Sequence, residues 1–481
     1  MALLRTSRTL LASSRCSLNS RQLSALSFVP ELRAAIPKTL PTIHNLVAGY
    51  ERDLQTFKPN TYIPPDVVFA NNHLKLSTID VVGFDYDYTL CHYTEELQHL
   101  IYAMARDHMV SKLKYPEGVS VLQYDPSFAI RGLTIDRQKG LLCKISSHQK
   151  LSTAAVFRGR QRLSRDEIMD LYDGSRHISV RDRDYNMEPL NDLFSVAHAC
   201  LFADVVQYMI DRDIEYEPIA LVEDVHQAIA NVHLSGEMHK EVAQDPPKYI
   251  EPNPTLRPLL ERIRLFDVVI VSARKPKFYT RKRSFRLLDI GHKQVQWHAV
   301  RALDRGEVYT QGSVYQLSKL TGWVGNRVLY IGLFSDLVEP SRANGWRTGA
   351  IIRELEDEMR VHRTPEYQRL AFQINKVEEL MRNIQNELRS EPNPQNHGFV
   401  DQLVDVHEEL QRAMENLINA NFGSVFRADA YPSQFAFFVQ RYVDIYSARL
   451  ENLLEYPSNH TFYPERIGMP HEQSVGMSRY E

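Results

Sequence analysis

A short apolar stretch of the chain ends abruptly in acidic residues. Residues 79–84 contain Ile, Val and Phe in a run that is typical of a buried strand. Asp85, Asp87 and Thr89 follow it at intervals of two residues. Ligand sites in open α/β sheets lie just beyond the carboxyl ends of strands. The pattern therefore predicts that both carboxylates face one small site.

Two carboxylates in this position favour phosphoryl transfer. Asp85 would attack phosphorus and form an aspartyl-phosphate, while Asp87 would protonate the leaving ester oxygen and later accept a proton from water. Because two carboxylates and a phosphate repel each other, we expect Mg²⁺, which takes oxygen ligands and keeps several waters. Thr89 can offer its hydroxyl and its backbone N–H to phosphate oxygens. An Asp-x-Asp pattern by itself has an alternative interpretation without a catalytic role, which is a strand followed by an Asx-rich turn.

Apolar periodicity predicts a large insertion after this first strand. Residues 132–136 and 141–145 read as a β-hairpin, and helical patterns follow over 193–210 and 219–232. A compact domain does not carry a structureless loop of this length. We therefore expect residues 101–249 to form an α+β cap domain over the site.

The second half of the core begins with an unusual junction. A predicted helix over 256–264 runs directly into a predicted strand over 265–271, with no Gly or Pro between them. A helix packed on a sheet needs a turn, usually of about two to six residues, before the next strand. Two more strands, one ending at Gly332 and one over 346–352, complete the predicted core.

A helical hairpin is predicted over residues 356–420. Thr364 and Pro365 suit the start of its first helix. The apolar positions then step by four and three residues, as in a coiled coil: Leu370, Ile374, Val377, Met381, Ile384, Leu388 and, after a Pro-rich break, Phe399, Leu403, Val406 and Leu410. Two helices packed on each other are the simpler interpretation, and a partner-binding coil is the alternative. Residues 421–481 are expected to return to the core.

Composition narrows the classes of function. The net charge of −3 over 481 residues gives no strong field for binding nucleic acid. Four scattered cysteines argue against a disulfide scaffold or a zinc site and for a reducing compartment. No run of about 18 consecutive apolar residues occurs, so we expect no membrane-spanning helix.

The first 30 residues differ from the rest of the chain. They are rich in Arg and Ser, and the first acidic residue is Glu31. This composition is typical of a mitochondrial transit peptide, and the predicted location is the matrix. A disordered tail without a targeting role is the alternative. Residues 31–75 are expected to form an extended lead-in to the core.

Several motifs resemble, in the same order, those of one enzyme family. They are Phe84–Leu90, Arg131–Leu133, Phe266–Val271, Ala273–Pro276, Gly345–Thr348 and Met469–Glu472. The first resembles motif I of the haloacid dehalogenase superfamily. Together they resemble the cytosolic purine 5'-nucleotidases and, most of all, the related 5'-nucleotidase domain-containing proteins, from about residue 60 to the end of the chain.

The resemblance implies a fold and a reaction. The fold would be a doubly wound, Rossmann-like α/β phosphatase core over residues 76–100 and 250–355. The reaction would be Mg²⁺-dependent hydrolysis of a nucleoside 5'-monophosphate or a related small phosphomonoester. The cap would grip the nucleobase and sugar. Lys275 would be the motif III cation that neutralises the charges of aspartate and phosphate; a surface lysine is its alternative. A homo-oligomer is left open.

Two departures from the family pattern matter for activity. Relatives carry a strand ending in Thr-Asn-Ser (motif II) and a helix where this chain passes directly from Arg264 to Leu265. Ser272 could replace the motif II hydroxyl, although its context is that of motif III. Relatives also continue Gly-Asp where this chain has Gly332-Leu333. Asp336 matches their second acid, and it either binds Mg²⁺ or contacts only water or Lys275.

These departures support a rival interpretation. The chain could be a catalytically impaired pseudoenzyme that serves as a binding or regulatory module. It could also be a shortened splice form, or an imperfectly deduced gene product, of an active enzyme. Losing a central strand–helix unit is expected to leave neighbouring strands without a partner at one edge.

Overall fold

The computed structural model describes residues 25–59, 67–262, 269–271, 275–280, 282–389 and 399–465. The α-helices in these ranges are α1 (Ala25–Ala35), α2 (Pro41–Leu54), α3 (Glu95–Ser111), α4 (Arg165–Leu171), α5 (Val180–Asn186), α6 (Ser195–Asp211), α7 (Pro218–Ser235), α8 (Glu237–Gln244), α9 (Pro246–Tyr249), α10 (Leu256–Arg262), α11 (Lys275–Thr280), α12 (Val314–Thr321), α13 (Val338–Asn344), α14 (Glu354–His362), α15 (Pro365–Leu388), α16 (Phe399–Asn416) and α17 (Gln434–Tyr442).

The strands in the same ranges are β1 (Phe69–Ala70), β2 (Leu74–Lys75), β3 (Val81–Phe84), β4 (Leu133–Asp136), β5 (Leu141–Ile145), β6 (Leu151–Arg158), β7 (Gln161–Arg162), β8 (Met187–Leu190), β9 (Val269–Val271), β10 (Phe285–Asp289), β11 (Gln294–Val295), β12 (Val308–Gln311), β13 (Val328–Gly332), β14 (Arg347–Ile351), β15 (Arg427–Ala428), β16 (Tyr431–Pro432), β17 (Ile445–Ser447) and β18 (Thr461–Phe462). The chain is thus of mixed α/β class. No described helix combines the length and the apolar character that a membrane span requires.

The chain divides into two compact units. One contains residues 1–62 and 362–417, and the other contains residues 63–361 and 418–481. The larger unit holds every strand that the structure describes, together with Asp85.

The central sheet of the larger unit has five strands in the order β1-β17-β14-β13-β3. Strands β3, β13, β14 and β17 run parallel, and β1 pairs antiparallel at one edge. Apolar side chains from several of these strands form one buried cluster, which includes Leu329, Ile331, Ile351 and Ile445. The C-terminal segment therefore returns to this sheet, because β17 is one of its inner strands.

Strand β3 lies at the edge of this sheet, although it leads into Asp85. Among the described strands its partner is β13, and Val82 in its middle is 40% exposed. Strand β9, which precedes the motif III residues, pairs instead with β12 in a separate four-stranded sheet.

A second five-stranded sheet lies within the insertion, in the order β7-β6-β5-β4-β8. The predicted hairpin is confirmed, because β4 and β5 pair antiparallel. The two predicted helices are α6 and α7, and both contribute to a large apolar cluster with α3. The insertion therefore shares one large hydrophobic core with Leu97 at the start of α3 and with Phe422 of the C-terminal segment.

The smaller unit contains α1, α2, α15 and α16. The predicted seam of α15 is buried in a single cluster with α16, and the cluster also includes residues of α1 and α2. The presence of α2 at Pro41–Leu54 differs from the extended lead-in that was expected over residues 31–75. Ile43, Val47, Tyr50 and Leu54 repeat at helical spacing and are buried in α2, so apolar burial outweighs the helix-unfavourable Pro and Asn residues nearby.

Part of the predicted transit peptide falls outside the described residues, which begin at residue 25. Helix α1 crosses the predicted boundary at residue 30, and Val29 is buried in the core of the smaller unit. A leader ending at residue 30 would therefore remove the first turns of α1.

Candidate active site

Asp85 is the first residue after β3, and the neighbouring strand holds its backbone. Its N–H donates to the C=O of Ile331 at 2.8 Å, which continues the ladder between β3 and β13 by one residue. The side chain is 5% exposed. Its Oδ1 accepts a hydrogen bond from the N–H of Tyr86 at 2.7 Å. The carboxylate therefore has a defined orientation at the carboxyl end of a parallel strand.

A tight turn follows and orients Asp87. The C=O of Tyr86 accepts from the N–H groups of Leu90 and Cys91, both at 3.0 Å, and the N–H of Tyr88 donates to the C=O of Cys91 at 2.7 Å. Tyr88 has a φ of 52°, in the left-handed region that side chains larger than Gly rarely adopt. These backbone bonds hold the chain in that conformation.

Asp87 is half-buried and contacts an aromatic cluster. The hydroxyl of Tyr93 donates to its Oδ1 at 2.6 Å. Burial raises the pKa of Tyr93, and the adjacent Asp87 raises it further, so Tyr93 remains a hydrogen-bond donor. The rings of Tyr88, Tyr93 and Phe194 pack with centroids 5.0–5.9 Å apart. Phe194 belongs to the inserted residues 101–249, so an aromatic side chain of the insertion packs against Tyr93, the hydrogen-bond partner of Asp87.

Thr89 lies within this turn rather than on its surface. Its side chain is 0% exposed, and its hydroxyl oxygen has no hydrogen-bond partner among the described residues. Its backbone N–H points to the C=O of Tyr86 at 3.4 Å, a weak interaction. The hydroxyl that is predicted to bind phosphate is therefore unpaired among the described residues but closed off from solvent.

The loop after β13 completes the neighbourhood of Asp85. A Cβ atom on Gly332 would lie 3.0 Å from the Cβ of Asp85, so the glycine lies directly against the side chain of Asp85. Asp336 lies in a short 3₁₀ turn, Phe334–Asp336. Burial raises the pKa of Tyr330, and the charges of Asp85 and Asp336 add to this effect. Burial is also the main cause of the raised pKa of Tyr279, and the charges of Asp336 and Asp85 raise it further.

The motif III region reaches this neighbourhood through α11. Lys275 is the first residue of α11, and Tyr279 follows one turn later. Tyr279 and Tyr330 both lie near the ring of Trp346, with centroid distances of 6.2 Å. Ser272 lies outside the described residues, as does the Met469–Glu472 motif. The positions of Lys275 and of Ser272 relative to Asp85 thus stay predictions.

The predicted metal ligands do not form one tight group. Within the described ranges, Asp85, Asp87 and Asp336 are not a set whose side-chain oxygens all lie within 4.8 Å of one another. Sequence reasoning also missed Tyr93 and Tyr330 as neighbours of these carboxylates. Tyr93 lies only six residues after Asp87, so a turn between them was the available signal. Tyr330 is in the middle of β13, and the residues around it in the sequence give no sign that it lies near a carboxylate.

Comparison with known proteins places the chain in a family. The model of the 5' nucleotidase family matches residues 68–265 and 264–474. The chain belongs to the 5'-nucleotidase family. The two matched segments meet at residues 264 and 265, the junction at which the family resemblance implies a missing strand–helix unit. Membership of this family is consistent with the resemblance of Phe84–Leu90 to motif I of the haloacid dehalogenase superfamily.

Curated relatives agree with the family model. A 5'-nucleotidase domain-containing protein of Dictyostelium discoideum is 33% identical over 485 residues, covering 91% of this chain and 81% of the relative. The 5'-nucleotidase domain-containing protein 2 is 35% identical in Rattus norvegicus, covering 86% of this chain and 81% of the relative. In Homo sapiens it is 34% identical, covering 86% of each. The Dictyostelium alignment is longer than this chain of 481 residues, so that relative has aligned residues without a counterpart here.

Proposed function

We propose that the chain is a Mg²⁺-dependent phosphohydrolase that cleaves nucleoside 5'-monophosphates through an aspartyl-phosphate on Asp85. The observation that carries the proposal is the position of Asp85 in a member of this family. It directly follows β3, is almost fully buried, and its carboxylate is oriented by the N–H of Tyr86. An enclosed carboxylate with a fixed direction suits attack on phosphorus, because orientation lowers the entropic part of the barrier.

The two aspartates divide the reaction between them. A carboxylate oxygen of Asp85 forms a bond to phosphorus while the bond from phosphorus to the nucleoside O5' breaks, and Asp87 gives its proton to that oxygen. Asp87 then takes a proton from water, whose oxygen attacks phosphorus and releases Asp85. The products are a nucleoside and inorganic phosphate. The hydrogen bond from Tyr93 holds Asp87 beside the turn.

Three further residues are proposed to bind the phosphate. Thr89 would supply a hydroxyl, for which a small opening of its turn is needed because its side chain is buried. Ser272 would supply a second hydroxyl in place of motif II. Lys275, at the start of α11, would supply a positive charge.

The chemistry of the donor set fits Mg²⁺. Asp85, Asp87 and Asp336 offer only oxygen atoms, which this hard cation prefers. The charges of Asp85 and Asp336 both add to the raised pKa of Tyr330, after burial and Tyr279, which is consistent with two carboxylates near one tyrosine. Mg²⁺ commonly binds one or two carboxylates and completes its shell with water and phosphate oxygens. The three aspartates therefore need not all contact the ion directly. When bound, it would neutralise the charge of carboxylates and phosphate.

The larger unit is proposed to have a haloacid dehalogenase-like arrangement. Four parallel strands with Asp85 at the carboxyl end of one of them support it. In this proposal residues 76–100 and 250–355 form the core, and residues 101–249 form the cap that selects the substrate. The contact of Phe194 with Tyr88 and Tyr93 brings the cap next to the site.

A binding or regulatory module is the second candidate. The edge position of β3 and the meeting of the two matched segments at residue 264 favour it. A missing strand beside the nucleophile would remove the motif II hydroxyl and loosen the support of Asp85. A shortened form of an active enzyme would show the same features. A major transcript that is longer at Arg264–Leu265 and at Gly332–Leu333 would favour the shortened form.

The chain is further proposed to act in the mitochondrial matrix. The support is the Arg- and Ser-rich, acid-free start of the sequence. A fusion of residues 1–40 to a fluorescent protein tests this. Import supports the assignment, and a diffuse distribution of the fusion contradicts it.

Phosphate release from a panel of nucleoside monophosphates, with and without Mg²⁺, tests the main proposal. The full chain is used, because α1 begins before residue 30. Mg²⁺-dependent turnover supports a phosphohydrolase and ranks its substrates. No turnover by a folded, monodisperse protein supports the binding module. No turnover by an aggregated protein supports the shortened form.

A further inference from the structure

A second group of ionisable side chains lies in the cap, apart from the residues around Asp85. It consists of Glu188, His198 and His226, and one ligand atom from each lies within 4.8 Å of the other two. Among the described residues, this is the one group of at least three His, Cys, Asp or Glu side chains whose ligand atoms lie this close together. Neither the family motifs nor the proposed reaction uses any of the three.

Regular elements position all three side chains. Glu188 is on β8, opposite Ile135 of β4. His198 is in the first turn of α6, and His226 is in the middle of α7. Helices α6 and α7 belong to the same apolar cluster. Sites built on packed helices and strands hold their ligands more accurately than sites on loops.

His198 has an unusual environment for a polar side chain. It is 4% exposed, and its Nε2 has no hydrogen-bond partner among the described residues. Burial lowers its pKa to about 4, against a weaker opposite effect of Glu188. The neutral form of an imidazole is the one that binds metals. A buried nitrogen without a partner is costly, and a bound ion would satisfy it.

Glu188 and His226 complete the geometry. The Nδ1 of His226 lies 2.9 Å from Oε1 of Glu188, and the side chain of His226 is 62% exposed. Around a tetrahedral zinc ion with bonds of about 2.0–2.1 Å, ligand atoms are about 3.3 Å apart. Small side-chain rotations would reach this spacing. The exposed side of His226 provides an entry path for the ion.

We propose that Glu188, His198 and His226 bind a divalent transition-metal ion, with Zn²⁺ as the best fit. Two imidazoles and one carboxylate form a zinc ligand set that leaves the fourth position to water. Imidazole nitrogens favour zinc over Mg²⁺, which prefers oxygen. The ion would connect β8, α6 and α7, and thereby stabilise the cap.

Zinc titration of the metal-free full chain by calorimetry tests the proposal, with Co²⁺ absorption as a second readout of coordination. We expect one equivalent of Zn²⁺ to bind and to raise the melting temperature. His226→Ala and Glu188→Gln should each weaken binding at least tenfold. His292→Ala is the matched control, since His292 is also exposed and lies 2.9 Å from a carboxylate, that of Asp289. It should bind zinc as the unmodified chain does.

The outcomes separate clearly. Because His226 is exposed, its replacement leaves the core intact and the test does not depend on folding of a His198 variant. Equal zinc affinity in the unmodified chain, His226→Ala and His292→Ala would overturn the proposal. So would the absence of any bound zinc, or a Co²⁺ spectrum that does not change when Glu188 is replaced.

Discussion

Gly332 and Asp85 pack directly against each other: a Cβ atom on residue 332 would lie 3.0 Å from the Cβ of Asp85. The relationship follows from the register of β3 and β13, in which Ile331 lies opposite Phe84. The residues that come next are Gly332, which ends β13, and Asp85, which directly follows β3. A glycine at the end of β13 therefore allows the loop that follows to approach the proposed nucleophile closely.

Replacement of this glycine is expected to move the nucleophile. In Gly332→Ala the new methyl group meets the Cβ of Asp85, which is fixed to the backbone and cannot rotate away. We expect a loss of stability of about 1–3 kcal/mol from overpacking and a fall in kcat of about 100-fold, since a shift of about 1 Å has such effects. Urea unfolding and steady-state kinetics measure the two quantities.

Gly349→Ala is the matched control for that variant. Its added Cβ would lie 3.1 Å from Cγ1 of Ile331, so the crowding is similar but does not involve Asp85. We expect a comparable loss of stability with a much smaller change in kcat. Equal loss of activity in the two variants would contradict a specific role of Gly332.

Asp85→Asn is expected to abolish phosphate release and leave the fold intact. The substitution keeps the shape of the side chain but removes the nucleophilic oxygen. Thermal melting should differ little from that of the unmodified chain. Asp80→Asn serves as control, because Asp80 is an exposed residue that pairs with Arg327 just before β3. Activity that survives in Asp85→Asn would exclude Asp85 as nucleophile.

Tyr93→Phe tests a positioning residue. The variant removes the hydrogen bond of 2.6 Å to Asp87 but keeps the aromatic packing. A hydrogen bond to a charged group contributes about 1.5–3 kcal/mol. Because only part of this acts on Asp87 in the transition state, we expect kcat to fall about tenfold, with a smaller change in KM.

Tyr115→Phe is the control for Tyr93. Its hydroxyl donates to Asp224 at 2.9 Å, so the same chemical change occurs at a carboxylate other than Asp87. We expect nearly unchanged kcat. If Tyr93→Phe has the kcat of the unmodified chain, the hydrogen bond has no role in positioning Asp87.

Glu358 gives the larger unit a pH-dependent stability. Burial raises the pKa of Glu358 from 4.5 to about 7, opposed by the Ser424 hydroxyl and by Lys144. Between pH 4.5 and 7 the folded state keeps a proton that the unfolded chain releases. The free energy of unfolding therefore falls as pH rises through this window, by about 3 kcal/mol in total.

Glu358→Gln is expected to remove this dependence. At pH 8 the variant should unfold at higher urea than the unmodified chain, and near pH 4.5 the two should be similar. Glu455→Gln changes an exposed carboxylate and should follow the unmodified chain at every pH. A constant difference between Glu358→Gln and the unmodified chain from pH 4.5 to 8 would argue against a buried neutral acid at this position.

The sequence determined the elements that depend on neighbouring residues. The apolar run before Asp85, the cap hairpin and the seam of α15 are all visible as local patterns, since side-chain period and turn residues are properties of consecutive positions. The short junction at residue 264 is also local, because it is read from consecutive residues.

Tertiary structure decided every contact between distant segments. That β17 enters the central sheet, that α2 joins α15, and that Gly332 lies against Asp85 depend on pairing between residues far apart in the chain. The same holds for Glu188, His198 and His226, which come from β8, α6 and α7. Local propensity carries no information on such pairings, because burial of apolar surface and strand register select them only when the whole domain packs.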